Sequence, residues 1–168
     1  MLIKNLENIV KARMSSMEGT AHSYEHVALL HDIGWALGQP HNETGAKPTR
    51  EILTEVNYSQ EKIGKIVGIV LHHPLDLQDK LETLEEKIVW DADKIDLLGA
   101  VGFARGFHWM GKKSFEAAVK LAFEVFTPIY GMLNTSTARE IAQKRYNETM
   151  SLLSALKEEL SLQDLGIS

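Results

Sequence analysis

The 168-residue sequence contains no cysteine. That excludes disulfides, thiolate metal sites and a cysteine nucleophile, so any metal chemistry must use nitrogen and oxygen ligands. No apolar run approaches the roughly 18 residues of a membrane span. Met1 to Val10 mixes Lys4 and Glu7 into its apolar positions, which is not a signal-peptide pattern. The expectation is a soluble, cytoplasmic chain without a membrane partner. A positive excess is also missing: 18 Lys and Arg stand against 23 Asp and Glu, a net charge of −5. Duplex nucleic acid is therefore not the expected partner. A small anionic substrate stays compatible, because a bound metal reverses the local sign. There is no trustworthy strand alternation, internal repeat or low-complexity segment.

What is present is helical periodicity. Leu2, Ile3, Leu6, Ile9, Val10 and Met14 predict an amphipathic helix over 2–14, and a second helix is expected from Ala21 to Ile33. Gly34 to Lys47, rich in Gly and Asn with Pro40 inside it and Pro48 just beyond, reads as loop, with Thr49 as N-cap of a short helix through Val56. Ser59 caps the next helix, which ends at His72-His73-Pro74 because Pro74 disfavours helical geometry before it. Residues 81–107 form the longest apolar-periodic run and the expected central helix. A further helix covers 114–132 with a kink or break at Pro128, and Asn134 or Thr135 caps a last one from Ala138 to about Leu160. The predicted class is all-α: a single-domain helical bundle over residues 1–168.

Chemistry concentrates in histidine and aspartate. His31-Asp32 follows an apolar turn and precedes Gly34. His22, His26, His41 and the pair His72-His73 accompany it, and Asp91-Ala92-Asp93-Lys94-Ile95-Asp96 closes the series. Singly, each has an ordinary explanation. The imidazoles suit an exposed face, His72-His73 suits a helix C-terminus, and the acidic cluster suits a solvated face with Lys94 as partner. Jointly they fit a metal centre better, because Asp91 and Asp93 interrupt a strongly apolar helix, and buried carboxylates need a cation or several donors. Such ligands suit one or two divalent ions of Mn, Fe, Mg, Co, Ni or Zn. Two close metals generate a hydroxide suited to phosphoryl transfer, with Lys94 and Arg105 as candidates to hold the other phosphate oxygens.

The ordered series His…His-Asp…Asp resembles the HD superfamily of metal-dependent phosphohydrolases, an all-α fold. The resemblance rests on His31-Asp32-Ile33-Gly34, on Ile88 to Phe107, and on Met132-Leu133-Asn134-Thr135 followed by the Arg139 to Tyr146 stretch, and it covers most of the chain. It implies His26, His31, Asp32 and Asp93 as ligands of one ion. A second layer resembles the two-metal HD-GYP branch and implies that Asp32 bridges to a second ion held by His41, His72 and His73. The Gly-Tyr-Pro element of that branch is missing and Pro74 follows the pair, so cyclic dinucleotides are not the first expected substrate. The implied activity is hydrolysis of a nucleotide or related phosphate ester by metal-activated hydroxide, with Asp91 or Asp96 orienting ligands or relaying a proton. The rival is a non-catalytic nucleotide-binding or regulatory module on the same fold.

One departure carries its own expectation. The family holds the first His and the His-Asp pair on different helices, whereas only four residues separate His26 from His31 here. On one helix, positions five apart point about 140° away from each other. A segment missing between Val27 and Ala28 would keep His26 as a ligand and predicts a break there. One unbroken helix would leave His26 unligated.

Overall fold

The computed structural model describes residues 23–110 and 114–161, with side chains from residue 27 onward. The predicted helix over 2–14 lies outside the described residues. The described chain is all helical, without a strand. It forms two compact units divided between Trp90 and Asp91. Among the described residues no helix is long and apolar enough to cross a membrane.

The first unit holds α1 (Ser23–Leu30), a 3-10 turn over Ile33–Ala36, α2 (His41–Glu55), α3 (Gln60–His72), a second 3-10 segment over Leu75–Lys80, and the start of α4 (Leu84–Asp96). Its core is a cluster of Val27, Leu30, Ile33, Ile52, Leu53, Ile63, Ile66, Val67 and Ile69. Each fully buried aliphatic side chain of this kind contributes about 1.5–3 kcal/mol. α1 crosses Val27–Ala28 without a break, and the His31 N–H donates to the Val27 carbonyl at 2.9 Å. The expected break at that point is thus corrected: the chain passes it as one helical path.

A second correction concerns 34–49. The expected loop is helical from His41, with Pro40 in the extended cap position (φ −71°, ψ 134°). Thr49 is not a cap but a buried residue of the helix interior. Pro48 cannot donate to the Thr44 carbonyl, yet the helix continues because Gly45, Thr49, Ile52 and Leu53 are buried along one stripe. Gly34 permits the arrangement, since a Cβ there would stand 1.8 Å from the His41 carbonyl oxygen. Ser59 does cap α3, its hydroxyl accepting from the Lys62 N–H, and α3 ends at His72 before Pro74.

The second unit contains the end of α4, then α5 (Gly99–Met110), α6 (Phe115–Met132) and α7 (Ser136–Leu160). The expected continuous helix over 81–107 is two helices. The reversal is at Gly99, whose φ of +82° is left-handed and favours glycine. Its N–H donates to the Thr149 hydroxyl at 2.8 Å, tying α5 to α7. α6 runs through Pro128 and packs on α7; Ala122, Phe126 and Ile129 of α6 and Ala138, Ala142 and Leu153 of α7 are buried. Thr135 is the residue that caps α7, accepting from the Ala138 N–H at 3.2 Å.

Candidate metal centre

The site of the first unit is assembled at helix ends. Asp32 follows α1, His41 opens α2, and His73 closes α3. Asn42 locks two of these together: its side-chain amide donates to the Leu71 carbonyl at 2.8 Å, joining the start of α2 to the end of α3. One ligand atom each from Asp32, His41 and His73 lies within 4.8 Å of the others.

Hydrogen bonds settle which imidazole atoms face inward. Nδ1–H of His73 donates to the Val70 carbonyl at 2.7 Å, and Nδ1–H of His31 donates to the Ala28 carbonyl at 3.0 Å. A carbonyl only accepts, so in each neutral ring Nε2 carries the lone pair. His73 Nε2 stands 3.4 Å from Asp32 Oδ1 and 2.9 Å from His41 Nε2. His41 Nε2 is 3.6 Å from the same oxygen, and His31 Nε2 is 3.4 Å from Oδ2. With His73 Nε2 as acceptor, its 2.9 Å contact is a hydrogen bond donated by the His41 Nε2–H, while the His31 and His73 lone pairs face the Asp32 carboxylate and leave room for a proton or a cation between them. Burial opposes the Asp32 charge, but when His31 and His73 carry a second proton their hydrogen bonds and charge outweigh it and hold the carboxyl well below its usual range. The residues fit a divalent metal by donor type and orientation.

His22 and the side chain of His26 lie outside the described residues. His72 points its Nδ1 at Glu86 Oε1, 2.9 Å away. Asp93 lies in the second unit, 2.6 Å from Lys94 Nζ. Asp91 is buried, and its carboxylate accepts four hydrogen bonds of 2.8–2.9 Å from the backbone and side chains of Asn134 and Thr135. Both oxygens anchor the start of α7. The Arg105 guanidinium donates to the Asp96 carboxylate at 2.6 Å and to its carbonyl at 2.7 Å. Lys94, Arg105 and Asp96 are therefore charge-compensated within their own unit.

No family model matches the chain. Among curated proteins it is similar to the uncharacterised YpgQ of Bacillus subtilis, 25% identical over 85% of this chain and 86% of that protein. Among solved structures, a Listeria innocua protein superposes with a TM-score of 0.63 at 27% identity, covering 95% of this chain and 86% of that one. YpgQ in complex with ADP gives 0.65 at 22% identity, covering 94% and 86%. An HD-superfamily hydrolase from Bacillus thuringiensis gives 0.63 at 23%, covering 95% and 84%. This chain has the HD-superfamily fold.

Two residues that contact these histidines escape a reading of histidines and aspartates. Trp35 lies one turn past Asp32, donates its indole N–H to Asp32 Oδ1 at 3.1 Å, and stacks on His41 with ring centroids 4.5 Å apart. Glu86 forms a reciprocal capping box with Thr83 at the start of α4 while holding His72. The Thr-x-x-Glu spacing at 83–86 was a legible signal for Glu86. Trp35 had none beyond its position three residues after Asp32.

Proposed function

We propose that this chain is a metal-dependent phosphohydrolase of the HD superfamily, acting on a nucleotide or related phosphate ester. The carrying observation is the Asp32, His41, His73 cluster, with His31 on its other side. Asp32 turns Oδ1 to His41 and His73 and Oδ2 to His31, so Asp32, His41 and His73 would hold a divalent ion, with His31 beside the other carboxylate oxygen. When bound, a divalent metal lowers the pKa of its water and supplies hydroxide near neutral pH. His31 and His73 contribute Nε2 lone pairs whose direction is set by the Ala28 and Val70 carbonyls. The resemblance also implies a ligand role for Asp93 and His26. The nucleotide enters through similarity to YpgQ, a protein solved with ADP.

The test is release of phosphate or pyrophosphate from nucleoside mono-, di- and triphosphates by purified protein loaded with Mn²⁺, with elemental analysis alongside. Wild-type turnover is expected, lost together with bound metal in Asp32→Ala. In His41→Ala one ion is expected to go and the other to stay. Unchanged metal content in both variants would overturn the proposal. The similarity to YpgQ, solved with ADP, equally supports a second reading, a nucleotide-binding module without turnover. ADP binding without turnover by the metal-loaded chain is the outcome that selects it.

A further inference from the structure

Trp35 belongs to neither the ligand set nor the hydrophobic core, and it is 43% exposed. It nevertheless touches two members of the cluster at once. Its N–H reaches Asp32 Oδ1 at 3.1 Å, and its ring lies nearly parallel to His41, at 19° and 4.5 Å. We propose that Trp35 is a positioning residue of the metal centre, fixing the rotamer of Asp32 and the ring plane of His41. This rests on the metal reading above.

Asp32 is the member that most needs such help. Its side chain is 53% exposed, against 16% for His41 and 3% for His73. His73 is held by burial and by the Val70 carbonyl, and His31 by the Ala28 carbonyl. Both present lone pairs toward Asp32, so neither donates to it without an added proton. Among the described residues, Trp35 is the one donor to the Asp32 carboxylate within hydrogen-bond distance that needs no such proton. The 3-10 turn over Ile33–Ala36 makes this contact possible, because it returns residue 35 beside residue 32; the Trp35 N–H donates to the Asp32 carbonyl at 3.0 Å. His41 is gripped from two sides, flat against Trp35 and edge-on to His73 at 4.9 Å. An oriented carboxylate and an oriented imidazole lose less freedom when a cation binds, and partners that orient ligands in this way typically change metal affinity about 10–100-fold.

Two substitutions separate the contacts. Trp35→Phe keeps an aromatic ring over His41 and removes the N–H; Trp35→Ala removes both. Each is titrated with Co²⁺, following the d–d absorption spectrum and the apparent Kd, beside thermal unfolding of the metal-free proteins. The expected result is about a 10-fold weaker Kd and an altered spectrum in Trp35→Phe, about 100-fold weaker binding in Trp35→Ala, and metal-free unfolding temperatures close to wild type. Wild-type Kd and spectrum in both variants would overturn the positioning role while leaving the metal reading intact. A wild-type chain that takes up no Co²⁺ would overturn both.

Discussion

Two aspartates, one in each unit, sit in opposite electrostatic surroundings. Asp91 is 2% exposed and accepts four hydrogen bonds from true N–H and O–H donors. Asp32 is half-exposed, accepts one such bond from Trp35, and otherwise faces imidazole nitrogens. A carboxylate whose acceptor sites are filled by the protein is already neutralised by dipoles and acts as a structural anchor. A carboxylate among lone pairs has its charge unmatched and is prepared for a cation. The number and kind of donors, more than burial or position beside a histidine, separates the two roles.

The sharpest way to break this contrast is to delete each carboxylate and read both activity and stability. Asp32→Ala is expected to lower phosphate-ester hydrolysis by at least about 100-fold and to cost less unfolding free energy than Asp91→Ala. Asp91→Ala leaves four donors without their acceptor and is expected to cost about 3 kcal/mol in urea unfolding. If the two variants exchanged these phenotypes, the donor argument would be wrong.

Glu86 offers an intermediate case: a buried carboxylate with donors, which also grips a histidine. Burial opposes its charge, but the N–H groups of Thr83 and Glu82, His72 and the Thr83 hydroxyl together hold its carboxyl below the ordinary 4.5. A lowered folded pKa stabilises the fold above the unfolded value, and the gain is lost as pH falls from about 4.5 through the folded pKa. Glu86→Gln is therefore expected to cost about 1–2 kcal/mol at pH 7 and to flatten the acid limb of stability against pH, as read by urea melts between pH 7 and pH 3. A variant with the same acid limb as wild type would remove Glu86 from this comparison.

The smallest expected effect has the opposite sign. Thr49 is 0% exposed within α2, and its hydroxyl has no hydrogen-bond partner among the described residues. Thr49→Val replaces an orphaned hydroxyl by a methyl of similar volume and is expected to add about 1 kcal/mol, visible as a raised urea midpoint.

Much of the helical order was legible because capping and apolar periodicity are local. Ser59 caps α3, Pro74 follows its end, and Thr135 was one of two caps proposed for the last helix. The misread stretches are those where local signals lost to packing. Gly, Asn and Pro mark a loop at 34–47, but burial of Gly45, Thr49, Ile52 and Leu53 makes the part from His41 onward α2. Periodicity continues through Leu97 and Leu98, while the left-handed turn at Gly99 divides α4 from α5.

By itself the sequence determined the all-α class, the exclusion of sulfur ligands, and the pairing of His31 with Asp32, since each follows from residue types and their local spacing. Tertiary structure alone decided the membership of the cluster. His73 rather than its neighbour His72 reaches Asp32, because the end of α3 turns one imidazole onto the Val70 carbonyl and the other onto Glu86. Adjacent residues on a helix end point in different directions, and nothing in their order says which partner each will meet. Trp35 joins for the same reason: a 3-10 turn, held close to α2 by two glycines, carries it back over Asp32 and His41.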